Sequence, residues 1–253
     1  MIHYHGLPFS GQADVLIKAM AGKHAFVSFS SLGCLPIAAE ICQSVALDNG
    51  AFTAWKTGDK YNINAYAAWI EKWHRHPCVD WYVMPDVIAG TTHDNMLMRC
   101  EWRNVCPDGA WGKGVPVWHL HDDLHELNYL CHAYQRIALG SSEQYQNVGS
   151  KLWWARMADA MAVACDDEGN PRVKLHGFRM LDPTIFSHLP FSSADSTNVA
   201  RNIGIDQKWK GTYTPVTKES RALIMMERVE AHCSASRWNK EAAGVQQNME
   251  LFG

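Results

Sequence analysis

"VPVWHLHDDLHELNYLCHAYQRIALGSS", Val115 to Ser142, holds two short apolar runs separated by an amphipathic stretch. The runs at 115–121 and 136–141 are as long as single strands and apolar almost throughout, as strands covered on both faces require. The stretch between them, 123–135, opens on a capping residue and repeats its apolar positions at helical spacing. Two strands joined through a helix run parallel, so this segment predicts a βαβ unit.

The same alternation extends in both directions. Strands are expected at 25–30, 44–48, 80–86, 173–178 and 189–195, with helices at 62–76 from an Asn62 cap and at 149–166. These give seven strands, and an eighth is expected after residue 200. The expected fold class is α/β, a (β/α)8 barrel of the TIM type, which fits 253 residues better than an open doubly wound sheet. One domain is expected over 1–253. Its last part, from about 202 to 253, reads as a helical, locally basic segment packed on the barrel.

Composition narrows the function classes. The chain is 47% hydrophobic and 19% charged, enough for one large core. No run of about 18 apolar residues predicts a membrane span, and the first residues carry no basic-then-apolar leader pattern. Eight cysteines form no CxxC pair, so reduced thiols and a cytoplasmic setting are expected. The net charge of −3 is not that of a coat for nucleic acid. From Arg201 to Lys240, however, eight basic residues face four acidic ones, a patch that suits either solvent or phosphate. Neither GxGxxG nor GxxxxGK[ST] occurs, so no nucleotide cofactor is expected, and no metal motif is present.

The strand ends carry the chemistry. Asp48 follows 44–47, Asp86 follows 80–85, and His119 and His121 close 115–121. Gly140 and Ser141 end 136–141, His176 and Gly177 sit in 173–178, and Asp195 ends 189–195. In barrel enzymes the reactive groups stand at the C-terminal ends of strands. A single Asp there is more often a helix cap; Asp195, for example, precedes a helix expected to open at Asn198. Three carboxylates at equivalent ends point instead to a shared pocket. Without a metal motif or a Ser–His pair, they suit glycosyl transfer: one carboxylate attacks the anomeric carbon, a second moves protons, and a third accepts N–H bonds from a base edge. Small residues Ser192, Ser193 and Ala194 would leave room for the sugar.

These residues resemble the queuine tRNA-ribosyltransferase (tRNA-guanine transglycosylase) superfamily, most closely its phage and bacterial branch that places 7-deazaguanines in DNA. The resemblance runs from about residue 24 to 201. It rests on Asp48-Asn49-Gly50-Ala51-Phe52, on Asp86 in "VMPDVIAG", on "IALGSS" with Gly140 and Ser141, on "LHGFRM" with His176 and Gly177, and on "SADSTNVAR" with Asp195. It implies Asp195 as nucleophile, Asp48 as general acid/base, and Asp86 as reader of the base edge. It also implies that Phe52 stacks on the base, that Gly50, Gly140, Ser141, His176 and Gly177 line the base site, and that His119 stands where the family has a base-contacting Gln. The implied partners are DNA, or alternatively tRNA, and a free 7-deazaguanine base; the protomer count, monomer or homodimer, is left open. The setting would be the cytoplasm of a bacterium or a phage-infected cell.

Two departures bear on the substrate. The family's CxCxxC…His zinc site has only His232 and Cys233 as counterparts here, so a somewhat reduced barrel without the zinc subdomain is expected and tRNA is disfavoured. The second glycine of the early motif is Ala51. A nucleoside hydrolase and a non-catalytic barrel that binds nucleic acid or deazapurine are the alternative readings. His3 and His5 fit either the barrel bottom or the site.

Overall fold

A computed structural model describes residues 1–8, 18–204, 209 and 213–239. It is an α/β structure whose nine strands all pair in parallel, in a sheet nearly closed into a barrel with helices around it. The strands are β1 (Ile2–Gly6), β2 (His24–Ser28), β3 (Ser44–Asp48), β4 (Val79–Val83), β5 (Gly114–Val115), β6 (Val117–His119), β7 (Arg136–Gly140), β8 (Lys174–Gly177) and β9 (Ser193–Ser196). The helices are α1 (Leu35–Ile41), α2 (Ala51–Thr57), α3 (Ile63–Trp73), α4 (Thr92–Val105), α5 (Leu124–Ala133), α6 (Lys151–Ala164), α7 (Pro183–Phe186), α8 (Asn198–Asn202) and α9 (Lys218–Glu230). Among the described residues no helix is long and apolar enough to cross a membrane.

The gap in the sheet falls at one residue. β5 pairs with β4 and β6 with β7, and only Pro116 separates β5 from β6. Proline has no N–H to give a ladder, but its carbonyl still accepts from Ala138 N at 2.9 Å, and Val115 O accepts from Met84 N at 2.9 Å. The backbone therefore continues the wall on both sides of the interruption.

Strand alternation sorts side chains into an inside and an outside. Tyr4, Phe26, Ala46, Trp81, Val83, Val115, Val117 and Ala138 pack together inside the wall. Their neighbours along each strand, such as Val27, Val45, Leu47, Ile137 and Leu139, join two larger clusters with the helices. Register then places the last inward positions side by side: Ser28 pairs with Asp48, and His119 with Gly140. The inward residue that ends each strand is thus lifted onto the C-terminal rim.

Three helices open as the sequence leads one to expect. The side chains of Asn62, Asp123 and Ser150 accept from Ala65 N, His125 N and Trp153 N. Three expectations fail. The strand not anticipated is β1 at the N-terminus, between β2 and β9, and among the described residues none after 200 forms a strand. "IHYHG" escapes notice because its two histidines interrupt the apolar pattern. Leu189, Pro190 and Phe191 do not start β9; Leu189 and Phe191 are buried between sheet and helices ahead of it. β4 stops at Val83, before Pro85 and Asp86.

The C-terminal segment is tied to the start of the barrel. Glu230, in the last turn of α9, accepts from His5 Nε2 at 2.9 Å and pairs with Lys23. His3 Nε2 lies 3.0 Å from His232 O. Both histidines of β1 therefore serve this attachment. Lys208, Lys210 and Lys240 of the basic patch, most of 207–213, and the segment 240–253 lie outside the described residues.

Candidate active site

Asp48, Asp86 and Asp195 open into one cavity of about 350 Å³. Its lining includes Asp48, Asp86, Asp195, His119, Phe52 and Arg179, and its volume is in the range that holds a small organic ligand.

Asp48 ends β3. Gly50 follows in the left-handed region at φ 75°, where a Cβ is disfavoured, and its N–H turns back to Asp48 Oδ2 at 3.3 Å. Gly50 therefore aims the carboxylate and starts α2; it does not line the cavity. Burial pushes the Asp48 carboxyl up to about 6, against the pull of the Ser28 hydroxyl and the Gly50 N–H and with help from the charges of Asp195 and Asp86.

Asp86 is clamped from both sides. Asn49 Nδ2 donates to Oδ1 at 2.7 Å, and His119 Nε2 lies 2.7 Å from Oδ2. Asn49 is itself fixed: Nδ2 also donates to Met84 O at 2.8 Å, and Oδ1 accepts from Ala51 N at 2.8 Å. Sequence reading gave Asn49 no role. Its signal was a fully polar side chain directly after a buried strand, where a partner is required.

Asp195 sits on β9 and is buried. It does not cap α8, because Asn198 N donates to Ser196 Oγ at 3.0 Å instead. Oδ1 accepts from Arg179 N at 3.1 Å, and Arg179 adopts φ 60°, uncommon for a residue with a side chain. That strained turn delivers an N–H to the carboxylate and swings the guanidinium to 5.5 Å from the Phe52 ring. Phe52 pairs in turn with Trp55 at 5.7 Å, and both rings are exposed at the rim.

His176 and Gly177 are not at the surface of the cavity. His176 is fully buried beneath it, stacked on Phe26 at 5.6 Å, with Nδ1 2.9 Å from Ser193 Oγ and Nε2 3.3 Å from Asp195 Oδ1. Burial pushes its pKa down, so the ring is neutral at neutral pH and offers Asp195 a dipole, not an ion pair. A Cβ on Gly177 would lie 2.6 Å from the Phe191 ring, so this glycine serves packing. Ser192, Ser193 and Ala194 leave no room for a sugar either. Ser192 Oγ donates to Leu175 O, Ser193 holds His176, and Ala194 is in the outer core.

Gly140 and Ser141 do line the cavity, but each has a structural task. Ser141 Oγ accepts from Trp153 Nε1 at 2.8 Å. A Cβ on Gly140 would stand 2.7 Å from His119 Nδ1. Gly140→Ala is therefore expected to displace the His119 ring and cost about 1–3 kcal/mol of stability, read as a lower melting temperature together with weaker ligand binding. An unchanged melting temperature would mean that the ring moves freely.

The side chains that sequence reading missed lie beside those it found. Ser28 shares the rim with Asp48 by register, and Arg179 sits two residues after Gly177; Arg201, read only as part of the basic patch, lines the cavity from α8. No protein-family model matches the chain, and no curated protein matches it.

Proposed function

We propose that the chain is a transglycosylase that exchanges guanine in DNA for a free 7-deazaguanine derivative, such as 7-cyano-7-deazaguanine, on a (β/α)8 barrel of the TIM type. In this reading β5 and β6 are one barrel strand interrupted at Pro116, and the barrel carries no zinc subdomain. The observation that carries the reading is the convergence of Asp48, Asp86 and Asp195 on one cavity.

Each carboxylate has a different setting and so a different task. Asp195 is the nucleophile: its oxygen attacks C1′, the C1′–N9 bond breaks, and the electron pair leaves with guanine. Asp48, with a carboxyl near 6, keeps its proton up to about pH 6 and gives it to the departing base. The ionised Asp48 then takes the N9 proton of the incoming deazaguanine. That nitrogen attacks C1′ and releases Asp195, so the proton lent in the first half is returned in the second. Asp86 faces the base edge with its free lone pairs, which accept N–H donors only.

The rim supports a polymer over a free nucleoside. Phe52 and Trp55 offer exposed aromatic faces for neighbouring bases, and Arg179 and Arg201 bring positive charge to the mouth. The target nucleotide would enter flipped out of its stack. To test this, the protein is produced in cells that make 7-deazaguanines, and digested DNA and tRNA are compared by mass spectrometry. A modified deoxynucleoside is the expected result. A modified ribonucleoside from tRNA alone would transfer the substrate to RNA, and the absence of both would end the base-exchange reading.

A further inference from the structure

His119 belongs to a longer chain of polar groups. Its Nδ1 lies 3.3 Å from Ser142 Oγ, which lies 2.9 Å from His121 Nδ1, and His121 Nε2 lies 2.8 Å from Gly90 O. The two imidazoles are nearly parallel, with centroids 5.4 Å apart and planes at 15°. His119 and Ser142 are buried.

The directions of these bonds are constrained at both ends. A carbonyl only accepts, so His121 Nε2 carries a proton. A carboxylate only accepts, so the other end calls for a proton on His119 Nε2. Two arrangements satisfy every contact with Asp86 ionised. In one, His119 is the imidazolium, its Nδ1–H donates to Ser142, and the Ser142 hydroxyl donates to a neutral His121. In the other, His121 is the imidazolium, its Nδ1–H donates to Ser142, and the hydroxyl donates to a neutral His119. The two interconvert when Nδ1 of His119 passes its proton to Ser142 Oγ as the serine proton passes to His121 Nδ1. Both keep His119 Nε2–H pointed at Asp86, and both carry one positive charge.

We propose that His119, Ser142 and His121 form a proton relay that holds one positive charge against Asp86 and fixes that carboxylate as an acceptor for ligand N–H groups. The relay makes His121 and Ser142 positioning residues that act through His119. Charged groups lie beside it: Asp122 accepts from His119 N at 3.0 Å and brings Oδ1 to 3.9 Å from His121 Nε2, Glu143 follows Ser142, and Arg156 of α6 donates to Leu120 O and Asp122 O. Burial alone would push the His119 ring down. The hydrogen bond and charge of Asp86, with Asp122 and Glu143, outweigh it and leave the ring raised. Gly140 completes the device, since only a residue without a Cβ leaves space for the ring. The ligand class rests on the base-exchange reading; the relay does not.

The test separates the two. In protein with ¹⁵N-labelled histidine, His119 Nε2 is expected to stay protonated between about pH 6 and 8, the range where a lone histidine titrates. Ser142→Ala should uncouple the rings and move the His121 Nδ1 resonance, and Ser142→Thr should restore it. An unprotonated Nε2 on His119 in that range would overturn the relay. So would a His121 Nδ1 resonance indifferent to both substitutions. Guanine is the binding probe: Ser142→Ala should weaken it about tenfold, the loss of one buried hydrogen bond to a charged group, with recovery in Ser142→Thr. A protonated Nε2 and coupled ring resonances without guanine binding would keep the relay and count against base exchange.

Discussion

Asp195→Asn is expected to abolish exchange, with a loss of at least about 10⁴-fold, in the range seen when a nucleophile is removed. The amide is nearly the same shape as the carboxylate. Its oxygen can still accept from Arg179 N, and its surroundings, the buried His176 at 3.3 Å and the Leu181 N–H that donates to Asp195 O, need not move. What is lost is the charge that, in the proposed reaction, attacks C1′. A denaturing gel of enzyme mixed with labelled DNA should show a covalent band for the native protein and none for the variant. The melting temperature should change little, because neutral His176 forms no ion pair that the substitution would break. Full exchange by Asp195→Asn would remove Asp195 as nucleophile; a retained gel band would move the covalent link to another residue.

The parts of this arrangement that were legible in the sequence are those set by local periodicity. "SVALD" and "RIALG" read as strands because their middle residues, Val45 to Leu47 and Ile137 to Leu139, are covered on both faces and must be apolar. Asp48 and Asp195 were placed by standing at the ends of the apolar runs 44–48 and 189–195. What was not legible depends on contacts across the sheet. "IHYHG" became a central strand because its outward histidines are met by Glu230 and His232, more than 200 residues away along the chain. Helix α4 was overlooked although Thr91 and Asp94 form a complete capping box. Its many polar side chains obscured the apolar stripe. The glycines misled for a related reason: Gly140 and Gly177 make room for protein rings, His119 and Phe191, which no one-dimensional pattern reveals. His119 itself was placed at the site, but its partner, Asp86, arrives from a loop 33 residues earlier in the sequence.

Asp48→Asn should separate stability from activity. With a native carboxyl near 6 against an ordinary value of 3.8, folding favours the protonated form of Asp48. The sign follows from linkage. A group whose pKa is raised on folding contributes stability fully below its unfolded value, and that contribution is lost as pH rises through the folded value. From about pH 4 to 6 the native protein therefore gives up as much as about 3 kcal/mol on this account, less where the cavity admits water. Asparagine stays neutral, so the variant should be more stable than the native protein at pH 7.5 and indistinguishable from it near pH 4. Thermal melts at both values check this. Catalysis should move the other way. The rate of exchange should fall as pH rises through about 6 in the native protein, because the cycle begins with Asp48 protonated to release guanine. In the variant this limb should vanish and the rate should fall by about 10² to 10⁴. A native rate would remove proton transfer from Asp48, and an unchanged pH limb would assign it to another group. A variant that is both stabilised and slow would show that the fold carries an ionised, poorly solvated carboxylate for the sake of the reaction, a cost that a purely structural residue would not impose.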